Sequence, residues 1–156
     1  MEKIREKISI KGVVIGAIAD IGGTNVWAFF LTLYLIFSYH LLSIPPNELA
    51  NEISSIIRGD PLIFSLNLLM GSLFSILGGY VPAHIAKRNE LLNGALSSFL
   101  CVLLGLYSIV SGTAFDSLWL HLVSLVLSPA LALLGGFLKS KQRSRSLLPG
   151  QLLQTE

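Results

Sequence analysis

The acidic residue Asp20 lies within a long apolar segment and is the side chain of this sequence best placed to do chemistry. It follows Lys11 by nine residues, which is about 13 Å along a helix. Burying an acid at that depth of a bilayer costs about 2.5–3.5 kcal/mol, so the side chain should face other helices. Asp20 is therefore either a proton or cation relay site or a hydrogen-bonded contact between closely packed helices.

The expected partners of Asp20 are polar residues at a similar depth in other segments. Tyr80 precedes the basic residues that end its segment, and Ser97 and Ser98 lie equally deep in the next one. His84 lies closer to the segment end. We expect Asp20 to hydrogen-bond to Tyr80 or a serine, or to reach toward His84 through water. These five residues form the candidate intramembrane polar site.

Glycines indicate where the helices approach one another. Gly12 and Gly16 form a G-x-x-x-G pair in the segment that holds Asp20, and Gly78 and Gly79 precede Tyr80. Small residues at such spacing let helix backbones pack closely in a membrane. These four glycines are predicted to be helix-packing residues.

Other reactive residue types give no site. His40 and His121 fall near the outer ends of their segments and have no third ligand that would make a metal site. The single cysteine, Cys101, cannot form an intrachain disulfide and is expected to be a small buried residue. Phosphate-binding, zinc, nucleophile-elbow and haem motifs do not occur, so we expect no enzyme activity, no cofactor and no nucleic-acid partner.

The composition places these residues in a membrane. Apolar residues make up 53% of the 156-residue chain and charged residues only 13%, against about 25% in soluble domains. About 20 apolar residues in a helix cross a bilayer, and long runs without alternation exclude a barrel. We predict an all-α bundle of four transmembrane helices, with spans at about 13–37, 61–86, 91–113 and 117–138. The four helices can be grouped as two tandem helical hairpins.

The positive charges predict the orientation. Ten of the 11 Lys and Arg residues precede the first span, lie in the turn after the second or follow the fourth, and only Arg58 lies elsewhere. Under the positive-inside rule both termini are then cytoplasmic, and insertion in both directions is disfavoured.

The connections and the tail complete the single transmembrane domain, residues 1–139. Apolar residues at helical spacing after Pro46 predict an amphipathic helix at about 46–58 on the outer membrane surface. Residues 140–156 are polar and basic, and we predict a flexible cytoplasmic tail.

Two short patterns recur in the sequence. Leu-Gly-Gly-Tyr at 77–80 and Leu-Gly-Gly-Phe at 134–137 each stand before basic residues and a Leu-Leu-x-Gly motif. The repetition is compatible with duplication of a helical hairpin, although glycine and leucine are common in membrane helices.

The run GGYVPAHIAKRNELLNG at 78–94 resembles a pattern in small bacterial membrane proteins of unknown function. In that pattern a span ends G-G-x-x-A-x-x-x-A and a basic turn leads to E-L-x-x-G. A first span with G-x-x-x-D, here Gly16 to Asp20, looks similar too. The resemblance is confined to these two stretches and implies a bacterial inner membrane and no established activity. Pro82 departs from it.

The layout is also similar to that of the small multidrug-resistance exporters, which have four spans and an acid in the first. Their acid is a glutamate that exchanges protons for cationic drugs. This chain differs in its aspartate, its longer outer loop and its fixed orientation, so the similarity is one of layout alone.

Two functional hypotheses follow. The first is an accessory, scaffolding or small oligomeric component of the membrane, in contact with lipid and with its own copies or another membrane protein. The second is a small proton-coupled transporter or channel subunit that uses Asp20. A water-accessible cavity at Asp20 would favour the second, and a dry helix contact would favour the first.

Overall fold

The protein is helical throughout the part of the chain that the structure describes. The computed structural model describes residues 8–86, 89–111 and 118–152, except for the side chains of residues 108, 118–121 and 145–152. A 3-10 turn, Leu41–Ser43, follows the first helix. The five α-helices are α1 Ile10–Ser38, α2 Pro46–Gly59, α3 Pro61–Ala86, α4 Glu90–Val110 and α5 Leu118–Leu152.

Four of these helices are long and apolar enough to cross a membrane. They are α1, α3, the Glu90–Tyr107 part of α4 and the Leu122–Ser144 part of α5. Many large apolar side chains, such as Phe29 and Leu77, are exposed on the outside of the bundle, where lipid would cover them. The predicted all-α bundle of four transmembrane helices is confirmed, and the protein is an integral multi-pass membrane protein. Residues 112–117, where the third span was predicted to end and the fourth to begin, lie outside the described residues.

Helix ends follow from local capping. Ser9 caps α1, because its hydroxyl accepts a hydrogen bond from the Gly12 amide at 3.2 Å, and α1 therefore begins before the predicted residue 13. Asp60 caps α3 by accepting from the amides of Leu62 and Ile63 at 2.9 and 3.2 Å. Asn89 turns the chain into α4 with a left-handed φ of 45°.

The helices form two antiparallel pairs. α1 packs along α3, α4 packs along α5, and the pairs meet where α3 runs parallel to α5. α4 also contacts α1 and α3, whereas α1 and α5 have almost no contact and stand at opposite corners. We call the end of the bundle that carries Lys11 and Lys139 the basic end, and the opposite end the α2 end.

The recurring glycine motifs hold the two pairs together. A Cβ added at Gly79 would overlap the backbone of Ala132, and one at Gly135 would overlap the carbonyl oxygen of Ile76. The Leu-Gly-Gly motifs of α3 and α5 therefore lie against each other. A Cβ at Gly136 would lie 2.9 Å from the Glu90 carbonyl oxygen, so α4 enters the same contact.

The glycines of α1 make a second close contact. A Cβ at Gly16 would lie 2.5 Å from the Gly78 carbonyl oxygen and 2.6 Å from Cδ of Pro82, and one at Gly12 would lie 3.2 Å from the Pro82 carbonyl oxygen. All four glycines predicted to pack helices thus lie at contacts between helices. α3 continues through Pro82 without a break.

The amphipathic helix α2 packs against the bundle. Ile53, Ile56 and Ile57 on its apolar face pack against a cluster formed by Leu31, Leu35 and Ile63. Its bounds, Pro46–Gly59, agree with the prediction to within one residue at the C-terminal end. The polar face, with Glu48 and Glu52, is exposed.

Residues 140–152, which were predicted to belong to a flexible tail, continue helix α5 as far as Leu152. Contacts with neighbouring helices support the extension: Arg143 pairs with Glu90 at 2.8 Å, and the Tyr80 hydroxyl donates to Gln142 at 2.7 Å. Residues 153–156 lie outside the described residues.

The glycine contact between α3 and α5 makes a stability prediction. Replacing Gly79 with Ala should lower the free energy of unfolding by about 1–3 kcal/mol, because the added methyl meets backbone that cannot rotate away. Gly71, on the same helix, has nothing within 4 Å of its Cβ position. Gly71→Ala should therefore be neutral or stabilising by up to about 1 kcal/mol. Thermal unfolding in detergent, followed by circular dichroism, compares the two variants, and an equal effect would contradict the contact.

Candidate functional site

Asp20 lies where three transmembrane helices meet. Its side chain is on α1 and is only 6% exposed. The Ser75 hydroxyl on α3 donates to Oδ1 at 3.3 Å, and the Cys101 thiol on α4 donates to Oδ2 at 3.3 Å. A Cβ at Gly78 would lie 2.6 Å from Cβ of Asp20, so the glycine makes room for the acid beside α3.

The other predicted site residues bond elsewhere. Tyr80 was expected to bond to Asp20, but its hydroxyl donates to Gln142. His84 is exposed and stacks on Tyr80, with ring centroids 6.3 Å apart, so it does not approach Asp20. The structure therefore brings neither residue to the acid.

The two serines of α4 bond to helix carbonyls. The Ser97 hydroxyl lies 2.8 Å from the Gly78 oxygen and 2.7 Å from the Gly94 oxygen, which ties α4 to α3. The Ser98 hydroxyl donates to Ala95 within its own helix at 2.7 Å. Both serines are buried, and neither bonds directly to Asp20.

Sequence reasoning missed Ser75 and Cys101 as partners of Asp20. Depth along a span was predicted well, but the direction in which a side chain points depends on how the helices are rotated. One signal was available, because Asn93, Ser97 and Cys101 recur every four residues and so share a face of α4.

A cleft opens beside Asp20. A cavity of about 400 Å³ lies between α1, α4 and α5, with Ser75 of α3 also in its wall. Asp20 lies at the limit of this cleft nearest the basic end, and the lining continues toward the α2 end as far as Asn25, Gly105 and Ser124. The cleft occupies the space between α1 and α5, where these two helices do not touch.

A second cavity extends the cleft toward α3. It measures about 300 Å³ and is lined by Asn67, Gly71 and Ser72 among others. Both cavities share four residues that carry hydroxyl groups, Thr24, Ser75, Ser124 and Ser128. They form one region, which we call the Asp20 cleft.

Exposed polar residues surround the mouth of the Asp20 cleft. Thr24, Asn25 and Ser124 are exposed although they lie in membrane-spanning helices. The Asn25 amide bonds within its own helix, where it donates to the Ile21 carbonyl at 2.7 Å. Asn67 does link two helices, since it accepts from the Trp27 indole at 3.0 Å.

The lining defines what the cleft can bind. Asp20, in the wall of the first cavity, is the one formally charged residue among those that line either cavity. Apolar side chains such as Val102 and Leu125 cover much of the wall. A carboxyl group in that setting can hold a proton or pair with a cation, and hydroxyl groups can hold water. No group of three His, Cys, Asp or Glu side chains comes together within the described residues. The exposed His40 does not line the cleft, and the side chain of His121 lies outside those that the structure describes.

The chain matches no protein-family model, and no curated protein or solved structure matches it significantly. The resemblance to small bacterial membrane proteins therefore stays a prediction from the sequence.

The only cysteine of the chain makes the cleft testable by thiol chemistry. Cys101 is partly exposed and lies 3.3 Å from Asp20, so a reagent that enters the cleft meets the carboxyl group. A unit charge about 5 Å from a carboxylate interacts by about 3 kcal/mol at an effective dielectric constant of about 20. A cationic methanethiosulfonate should therefore modify Cys101 at least about tenfold faster than an anionic one of similar size.

The matched variant for this labelling is Asp20→Asn, which keeps the shape of the side chain and removes its charge. The ratio of the two rates, measured by mass spectrometry of the protein in detergent, should fall toward one in the variant. A ratio that is the same in both proteins would mean that Asp20 does not set the charge preference of the cleft.

Proposed function

We propose that this protein is a small, non-enzymatic membrane transporter or channel subunit in which Asp20 takes up a proton or a small cation from the cleft. The observation that carries the proposal is the position of Asp20 in the wall of a cleft whose largely apolar lining also carries hydroxyl groups. A carboxyl group that served only to join helices would be expected in a dry contact, covered on all sides.

The size and lining of the Asp20 cleft support uptake from water. A cavity needs only about 10–15 Å³ for the centre of one water molecule, together with polar partners, and this cleft exceeds that many times over. Its hydroxyl groups at Thr24, Ser75, Ser124 and Ser128 provide the partners. Water in the cleft would connect Asp20 with one side of the membrane.

The setting we propose is a bacterial inner membrane with both termini in the cytoplasm. The support is the distribution of Lys and Arg along the sequence, ten of 11 on one side. In this orientation the α2 end faces outward and the Asp20 cleft is reached from the extracytoplasmic side. Labelling of Cys101 by an impermeant reagent in intact spheroplasts tests the orientation.

A second candidate function is an accessory or scaffolding component that pairs with its own copies or with another membrane protein. The exposed polar side chains of Thr24 and Asn25 favour it, because a partner helix at the mouth would cover them and could bond to them. In that case a helix of the partner would fill the cleft, and Cys101 would be protected from thiol reagents in the membrane.

The test of transport is proton flux in liposomes that contain the full-length protein and a trapped pH dye. With a potassium gradient and valinomycin setting the membrane potential, the natural protein should carry protons into the lumen. Asp20→Asn should lower the rate at least about tenfold, because the amide cannot exchange a proton at neutral pH.

Glu52→Gln is the matched control, since it removes an exposed acid on the polar face of α2 and should leave the rate unchanged. Equal fluxes in the natural protein and Asp20→Asn, or no flux above empty liposomes, would contradict the transport proposal. The accessory role would then be the better explanation.

A further inference from the structure

The buried polar residues of the described chain lie on α1, α3 and α4. Those less than about a tenth exposed are Asp20, Ser75, Asn93, Ser97 and Ser98. Asp20 and Ser75 lie at the cleft, and the other three lie on α4 between the cleft and the basic end. The interior of the bundle therefore holds the Asp20 cleft on the side of Asp20 toward the α2 end and buried polar residues of α4 on the side toward the basic end.

The polar stripe on α4 consists of Asn93, Ser97 and Cys101, which share one face of the helix at four-residue spacing. Cys101 bonds to Asp20 at the cleft. Asn93 stands at the far end, fully buried, and its side-chain oxygen accepts from the Ser9 amide at 2.8 Å. The stripe thus begins at the acid and ends where α1 starts at the basic end.

The spacing of the stripe suits single water molecules. Residues four apart on a helix have Cβ atoms about 5–6 Å apart. One water that makes two hydrogen bonds of about 2.8 Å bridges such a gap. The hydroxyl of Ser97 both donates and accepts, so it can pass a proton on between two such waters.

We infer that protons bound at Asp20 leave toward the basic end along the stripe Cys101, Ser97 and Asn93, and that the Ser9–Asn93 hydrogen bond closes this route at its end. This inference rests on the proposed transport function. In each passage the Asp20 carboxyl gives its proton to a water of the stripe, and the carboxylate takes up another proton from water in the cleft. No oxidant or reductant takes part.

The route is closed in the conformation described. The Ser97 hydroxyl bonds to the carbonyl oxygens of Gly78 and Gly94, and Asn93 bonds to Ser9 and to the Asn89 carbonyl at 3.1 Å. Water enters only when these contacts separate. In this conformation packed contacts therefore separate Asp20 from the basic end, and those of Ser97 are the nearest to the acid, one helical turn from its partner Cys101.

The experiment measures proton flux in the same liposome assay for two matched serine variants. Ser97→Ala removes the hydroxyl on the stripe, and Ser98→Ala removes an equally buried hydroxyl that bonds only within α4. We expect Ser97→Ala to lower the proton flux at least about tenfold, because it removes one hydrogen bond along the route. The flux of Ser98→Ala should stay within about twofold of that of the natural protein.

A third variant separates conduction from packing. Ser97→Gly also loses the bond to Gly78 but leaves room for a water in place of the hydroxyl, so its flux should recover most of what Ser97→Ala loses. The charge preference of Cys101 labelling should be unchanged in all three variants, which shows that the cleft and Asp20 are intact. Normal flux in Ser97→Ala, or no recovery in Ser97→Gly, would overturn the inference while the Asp20→Asn result still stands.

Discussion

Close contact of helix backbones at Gly78 and Gly79 is the constraint on which the rest of the bundle depends. Lipid tails are as apolar as leucine, so membrane helices associate through packing and hydrogen bonds rather than by escaping water. At these two residues α3 touches all three other transmembrane helices: Asp20 of α1 lies against Gly78, Ser97 of α4 donates to its carbonyl, and Ala132 of α5 lies against Gly79. A larger side chain at either position would separate helices that no hydrophobic force would bring back together.

The same contact explains why there is a cleft. Because α3 holds α1 on one side and α5 on the other, those two helices do not close on each other, and the space between them stays open beside Asp20. Toward the basic end the bundle is filled by glycine contacts and by the capped start of α1. The protein is thus asymmetric along its axis, with water-sized space on one side of Asp20 and packed backbone on the other. Such asymmetry is what a one-sided binding site requires.

The sequence predicted the fold better than the site. Long apolar runs and Pro46 predicted four membrane helices and α2 to within a few residues, because hydrophobic length and helix-start signals are local properties. The end of α5 was missed, since its extension is held by Gln142 and Arg143 through contacts with other helices. Asp20 was recognised because burying an acid in lipid costs free energy. Its partners Ser75 and Cys101 were not recognised, because packing between helices sets the rotation of each helix about its axis.

The central claim is that Asp20 exchanges protons with water in the cleft, and infrared difference spectroscopy of the full-length protein in lipid tests it most directly. The natural protein should show a carboxylic-acid carbonyl band that titrates with pH, shifts in heavy water and is missing from Asp20→Asn. The Cys101 sulfhydryl band should change together with it, since the thiol bonds to the carboxyl group. An Asp20 band that neither titrates nor shifts in heavy water would mean a dry helix contact and would contradict the claim.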